Sequence, residues 1–298
     1  MRGKKRGLLI ALSAGGDPNE LSEVGLGIEH VDELMVRLAM KLLKEGHRLA
    51  FGGTLGDPTK CLTQHLIDTA QNFLQSEVAK HLDVNKPSTW PLVNYASWPN
   101  YESVDNDRRA RLVGVCQFID VDPKDVSKET LAQAKKTASE GRFRADALTV
   151  MRNDSSRDCD LRIVWGGKIK GSSGWIAGIL EEVVSSLKAG KPVLILGGFG
   201  GCARLLADYL ADANAPWPFA DTDAFKAKGQ GRLDPAIMAD RYAEAEQLLA
   251  QLRESLGHDE TINGVPVELF VKSLREETAR TAIGFAAEAA TTIQQAAK

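Results

Sequence analysis

The stretch from Met151 to Tyr209 constrains this chain more than any other part of it. It runs MRNDSSRDCDLRIVWGGKIKGSSGWIAGILEEVVSSLKAGKPVLILGGFGGCARLLADY and reads as strand, glycine loop, helix, strand, glycine loop, helix. Two short apolar runs, LRIVW and PVLIL, each deliver a Gly-Gly pair to the start of a helix. Parallel strands that feed helices in this way make anion sites. Glycine allows close approach of the backbone, and the unpaired N–H groups and positive dipole end of the next helix favour a phosphate. Glu181 and Glu182, at the start of the first of these helices, are placed to address a ribose. The combination points to a pocket for a nucleotide or nucleotide-sugar.

The same alternation occupies the preceding residues. Gly7 to Ser13 is an apolar run ending in SAGGD, and a stretch of helical period follows from Ile28 to Glu45. Gly46 stops that helix, and HRLAFGG starts a second strand with another Gly-Gly exit. Helix is expected over Pro58 to Phe73, strand over Trp90 to Tyr95 and Arg111 to Val121, and helix over Lys124 to Glu140 and Ala145 to Asn153. The central strands are placed at Leu8–Leu12, Arg48–Phe51, Leu112–Ile119, Arg162–Trp165 and Val193–Leu196. The expected fold class is α/β, an open, mostly parallel Rossmann-like sheet with helices on both faces. After Tyr209 a Pro, Gly and Asp-rich connection leads into helices over Pro235 to Leu256 and Val267 to Ala297, an all-α C-terminal part. The organisation read from this is a nucleotide-binding domain over 1–215. A loop and helical extension over 216–298 packs on that domain or on an oligomer partner.

Composition excludes several functions. A net charge of -3 leaves no global attraction for nucleic acid or an anionic membrane. LLIAL is too short for a signal-peptide core, so a cytoplasmic location is expected. Cys61, Cys116, Cys159 and Cys202 are scattered with no CxxC or Cys/His cluster, so they are expected to be reduced and buried, with no metal site. There is no GxGxxG, no GxxxxGK[ST] and no GxSxG, and the five histidines have no triad spacing. No cofactor is expected.

The candidate binding positions follow the strand exits: Ser13, Gly15 and Gly16, then Gly52, Gly53 and Thr54, then Gly166, Gly167 and Lys168, then Gly197, Gly198, Phe199 and Gly200. The density of glycine in GGFGG exceeds what tight packing ordinarily needs. These loops are expected to converge on one crevice at the carboxyl ends of the strands. Arg152, just before LRIVW, either grips a phosphate in bidentate fashion or faces solvent from a helix end. Trp175 either stacks on a base or plugs a core edge, the second being favoured.

These residues resemble the SLOG superfamily, which includes the lonely-guy phosphoribohydrolases, the DNA-processing proteins of natural transformation, and the ligand-sensing domains of Thoeris antiphage effectors and TRPM channels. LSAGGD, FGGTLGDP, ALTVMR, RIVWGGKIKGSSGWIAGILEE and KPVLILGGFGGCARLL carry the resemblance, over roughly residues 7 to 210. It implies a sensor of an ADP-ribose-like ligand, cyclic ADP-ribose or a related NAD metabolite, in antiphage or stress signalling. It further implies homo-oligomers and a separate effector protein. The enzyme branch of the family carries PGGxGTxxE, whose glutamate works with an upstream arginine to cleave a nucleotide's N-glycosidic bond. Arg152 matches that arginine and Glu181 or Glu182 that glutamate. If the chain is an enzyme, these three are its catalytic residues. No proline precedes Gly166 and the glutamates follow an inserted loop, Lys168 to Gly178. Of the two, Glu182 is expected to face the pocket, because the corresponding family helix presents its second acid.

Overall fold

The computed structural model describes residues 7–55, 61–83, 85–137, 140–220 and 233–296. Six strands form one all-parallel sheet: β1 (Leu9–Gly15), β2 (Arg48–Phe51), β3 (Leu92–Ser97), β4 (Cys116–Val121), β5 (Leu161–Gly166) and β6 (Val193–Leu196). Their spatial order is β4-β3-β2-β1-β5-β6. Helices alternate with them: α1 (Pro18–Ser22), α2 (Ile28–Lys44), α3 (Cys61–Leu74), α4 (Asn106–Arg111), α5 (Lys128–Ala134), α6 (Glu140–Asp158), α7 (Gly178–Lys188) and α8 (Gly201–Ala211). The C-terminal part adds α9 (Pro235–Ser255), a two-stranded hairpin, α10 (Val267–Arg275) and α11 (Ala279–Ala296).

Successive side chains of a strand point to opposite faces, and β1 shows how this builds two layers. Ile10 and Leu12 join Val31, Leu34, Met35 and Leu38 of α2 in the main core. Ala11 turns the other way and, with Ala50, Val93 and Tyr95, packs against Met151 of α6. Beyond the sheet edge, α10 packs on β6 and α11 lies against α2.

Several boundaries differ from those expected. The strand placed at Leu112–Ile119 starts only at Cys116, because Arg111 ends α4 and Gly114, at φ 82°, turns the chain first. β3 is a full sheet member, and β4 and β6, both expected at the centre, lie at the two edges. The helices expected over 124–140 and 145–153 are α5 and the longer α6. The last expected helix breaks in two at Glu276–Thr278, where the Glu276 carboxylate accepts from the Thr278 backbone N–H at 2.8 Å. Pro58, the expected start of α3, and Ala297 lie outside the described residues. No helix among the described residues is long and apolar enough to cross a membrane.

Candidate functional site

The strand order reverses direction between β1 and β5, since the chain proceeds from β1 to β2 on one side and returns to β5 on the other. Open α/β sheets bind ligands in the crevice at such a switch point. Gly15 and Gly166 are register partners across β1 and β5, and the Gly167 N–H donates to the Gly15 carbonyl at 2.6 Å. Gly166 and Gly167 have φ of 60° and 87°, and a Cβ on either would stand 2.3 Å from Gly15 O or 2.2 Å from Ile179 Cγ1. Only glycine lets the two strand ends meet and the chain turn toward α7.

Above this junction lies a cavity of about 760 Å³, a size typical of small-molecule sites. Ser13, Gly15, Gly16, Gly52, Gly53, Thr54, Arg152, Gly167, Lys168 and Glu182 all line it, together with Asn100, Arg144, Ser172 and Ser173. Gly166, Gly197, Gly198, Phe199 and Gly200 are not among its described lining residues. Gly197 and Gly198 have a packing reason to be glycine. A Cβ on Gly197 would stand 2.3 Å from Leu274 O and one on Gly198 2.1 Å from Glu276 O, so the end of α10 lies directly on this backbone.

Arg152 is neither solvated nor at a helix end. It is 7% exposed in the interior of α6, and its Nη1 donates to Glu181 Oε2, whose other oxygen accepts from Thr149 Oγ1. Gly174 and Gly178 make room for this guanidinium: a Cβ at either would come within 2.6 Å of Nη1 or 3.0 Å of Nη2. The inserted loop is thereby seated on Arg152. Glu181 is buried behind the cavity and Glu182 lines it. Arg152 Nε, which has no hydrogen-bond partner, is 3.7 Å from Glu182 Oε1.

Arg162, the second residue of β5, is not among the expected site residues. It is 4% exposed, and its N–H groups reach Ser13 Oγ at 2.7 Å, Ser186 Oγ at 2.8 Å, Ser155 Oγ at 2.9 Å, Ser156 Oγ at 3.1 Å and Glu182 Oε2 at 3.4 Å. Two guanidiniums and two carboxylates thus balance beneath the crevice, as a buried charge requires. The only sequence signal for this was a lone arginine inside an otherwise apolar strand. Trp175 is buried and its indole N–H donates to Asp146 Oδ1 at 2.9 Å, which makes it a core residue. Cys116, Cys159 and Cys202 are buried free thiols, each pushed up to about 12 by burial.

A parallel sheet with a glycine-lined crevice at its switch point, floored by paired arginines and glutamates, defines a Rossmann-like protein with a small-molecule pocket. The SLOG cluster2 family model matches residues 4–264, and the chain belongs to that family. Membership supports a nucleotide-related role, either ligand binding or glycosidase-like chemistry. No curated protein matches the chain.

Proposed function

We infer that the crevice binds a nucleotide-derived small molecule, of the ADP-ribose-like or related NAD-metabolite class, and that its occupancy is the protein's output. The supporting observation is Glu182. It lines the crevice with a side chain 14% exposed, and its two oxygens lie 3.7 Å from Arg152 Nε and 3.4 Å from Arg162 Nη1. A carboxylate fixed in this way presents oriented acceptors to ribose hydroxyls. The glycine backbones at the ends of β1, β2 and β5 leave room for phosphates beside it. In this reading the protein works in the cytoplasm as a homo-oligomer, passing occupancy to a separate effector in antiphage or stress signalling.

A second reading, a nucleotide N-glycosidase, draws on Arg152 and Glu182, which both line the crevice with Nε 3.7 Å from Oε1. Oxocarbenium-like chemistry needs such a carboxylate at the sugar. A thermal-shift panel of NAD, ADP-ribose, cyclic ADP-ribose isomers, AMP and GMP, with product analysis of each stabilising compound, separates the two. A ligand at a hundred times its Kd adds about 2.7 kcal/mol to the folded state. Stabilisation without turnover supports the sensor. Release of free base, lost in Glu182→Gln at full occupancy, replaces it with the hydrolase, and no shift with any compound removes the nucleotide pocket.

A further inference from the structure

The crevice has a further wall beside the one that Glu182 and the glycine loops supply. On the side of α2 and α3 its wall is apolar, made by Ile28, Met35, Phe51, Leu62 and Leu66. Two polar side chains stand in this wall, Thr63 of α3 and Asp32 of α2. Asp32 of α2 lines the crevice and is 8% exposed, and its Oδ1 has no hydrogen-bond partner. Its Oδ2 has His65 Nδ1 at 3.8 Å, beyond hydrogen-bond range, and that nitrogen is also unpartnered.

A buried carboxylate without donors is costly, and native proteins rarely keep one without a use. Burial pushes the Asp32 carboxyl above its ordinary range; His65 opposes this and Glu29 reinforces it. The fold does not need the group. On α2 the neighbouring core positions Val31, Leu34, Met35 and Leu38 are all apolar, and a leucine at position 32 would continue their stripe. An apolar slot whose wall carries a buried carboxylate, Asp32, and a hydroxyl, Thr63, suits a flat aromatic ring with an N–H group on its edge. Small-molecule pockets commonly combine apolar walls with a few placed polar groups of this kind.

We propose that Asp32 is the specificity-determining residue of the crevice, accepting a hydrogen bond from the exocyclic amine of an aminopurine base held between α2 and α3. The inference rests on the nucleotide-binding reading above and adds the residue that reads the base. The ligand is then an amino-bearing purine nucleotide or its derivative, with sugar and phosphate directed toward Glu182 and the glycine loops.

Calorimetric titration of AMP and of purine riboside 5′-monophosphate, which lacks only the amine, tests it. Wild type should bind AMP about ten- to a hundredfold more tightly, the worth of a hydrogen bond to a charged group. Asp32→Leu should bind the two equally and melt at or above wild type without ligand. Asp32→Asn, isosteric and retaining one neutral acceptor, should keep a preference of a few-fold. Equal binding by wild type, or an unchanged preference in Asp32→Leu and Asp32→Asn, overturns the inference while leaving the nucleotide pocket intact. Binding of neither compound, nor of ADP-ribose, by wild type overturns both.

Discussion

Replacing Arg162 by methionine should destabilise the protein through Glu182 rather than through packing. The side chain is buried and its partners are four serine hydroxyls and one carboxylate. The hydroxyls have other options: Ser156 Oγ and Ser186 Oγ are already 3.1 Å apart, and the Ser155 hydroxyl donates to Arg152 O at 3.0 Å. Glu182 has only Arg152 Nε at 3.7 Å to fall back on. Removing one partner of a buried ion pair costs about 3–5 kcal/mol. The re-pairing of the hydroxyls puts this case near the lower end, about 3 kcal/mol. At about 2–4 °C per kcal/mol for a large domain, that is a fall of about 6–12 °C in Tm. Urea unfolding followed by tryptophan fluorescence measures it for Arg162→Met, Glu182→Gln and the double variant. Because the methionine fills the strand position, the double variant should lose about 1–3 kcal/mol less than the two single losses added together. Additivity within about 0.5 kcal/mol would show that Arg162 does not hold Glu182, and would remove the basis for an oriented carboxylate in the crevice.

Arg152→Ala should weaken binding of the stabilising nucleotide about tenfold or more, as loss of a charge-assisted contact implies, and Arg152→Lys should recover part of it; unchanged affinity on titration would confine Arg152 to its pair with Glu181. Glu182→Gln should cost about tenfold or less in affinity, whereas Glu181→Gln should act chiefly on Tm, since its carboxylate faces Arg152 and Thr149. His47 is held neutral by burial, with Nδ1 accepting from the Leu8 N–H at 3.2 Å, and its folded pKa lies below the ordinary 6.5. The unfolded chain therefore takes up the proton first, so stability present above about pH 6.5 should be lost as pH falls below it, and His47→Gln should flatten that part of a pH series of urea midpoints. Gly198→Ala should lower Tm far more than Gly52→Ala, because the new methyl meets the Glu276 backbone at 2.1 Å in the first and the flexible end of Met151 at 3.1 Å in the second.

The sheet was legible because buried parallel strands are near-continuous apolar runs: LIAL and VLIL are such runs, and LRIVW is broken only by Arg162, each leading into glycines. RLVGVCQFIDV misleads for the same reason. It is apolar along most of its length, but Gly114 turns the chain between a helix end and the strand, and composition cannot distinguish the two. Arg152 and Glu182 could be picked out from their motif context. Arg162 could not, since an arginine within a strand announces only that something must pair with it. The close packing of Gly197 and Gly198 within GGFGG was not legible in the sequence. What crowds Gly197 and Gly198 is the backbone of Leu274 and Glu276, which only the folded chain brings there. Asp32 hides in an amphipathic helix, where one acid near the apolar stripe looks like an ordinary boundary residue.

The position of β1 has a consequence for how the protein is made. Its neighbour on one side, β2, emerges from the ribosome soon after it, but its neighbour on the other, β5, is far along the chain: the Leu9 N–H bonds to Asp160 across 151 positions. At a synthesis rate of about 5–20 residues per second, β1 waits about 8–30 s with one edge open. For that interval the nascent chain offers an apolar, hydrogen-bond-hungry strand to any other edge nearby, the situation that invites mispairing. Until β5 arrives the crevice has only one wall, so no ligand can assist the early steps, and chaperone shielding of β1 should govern yield more than nucleotide supply does.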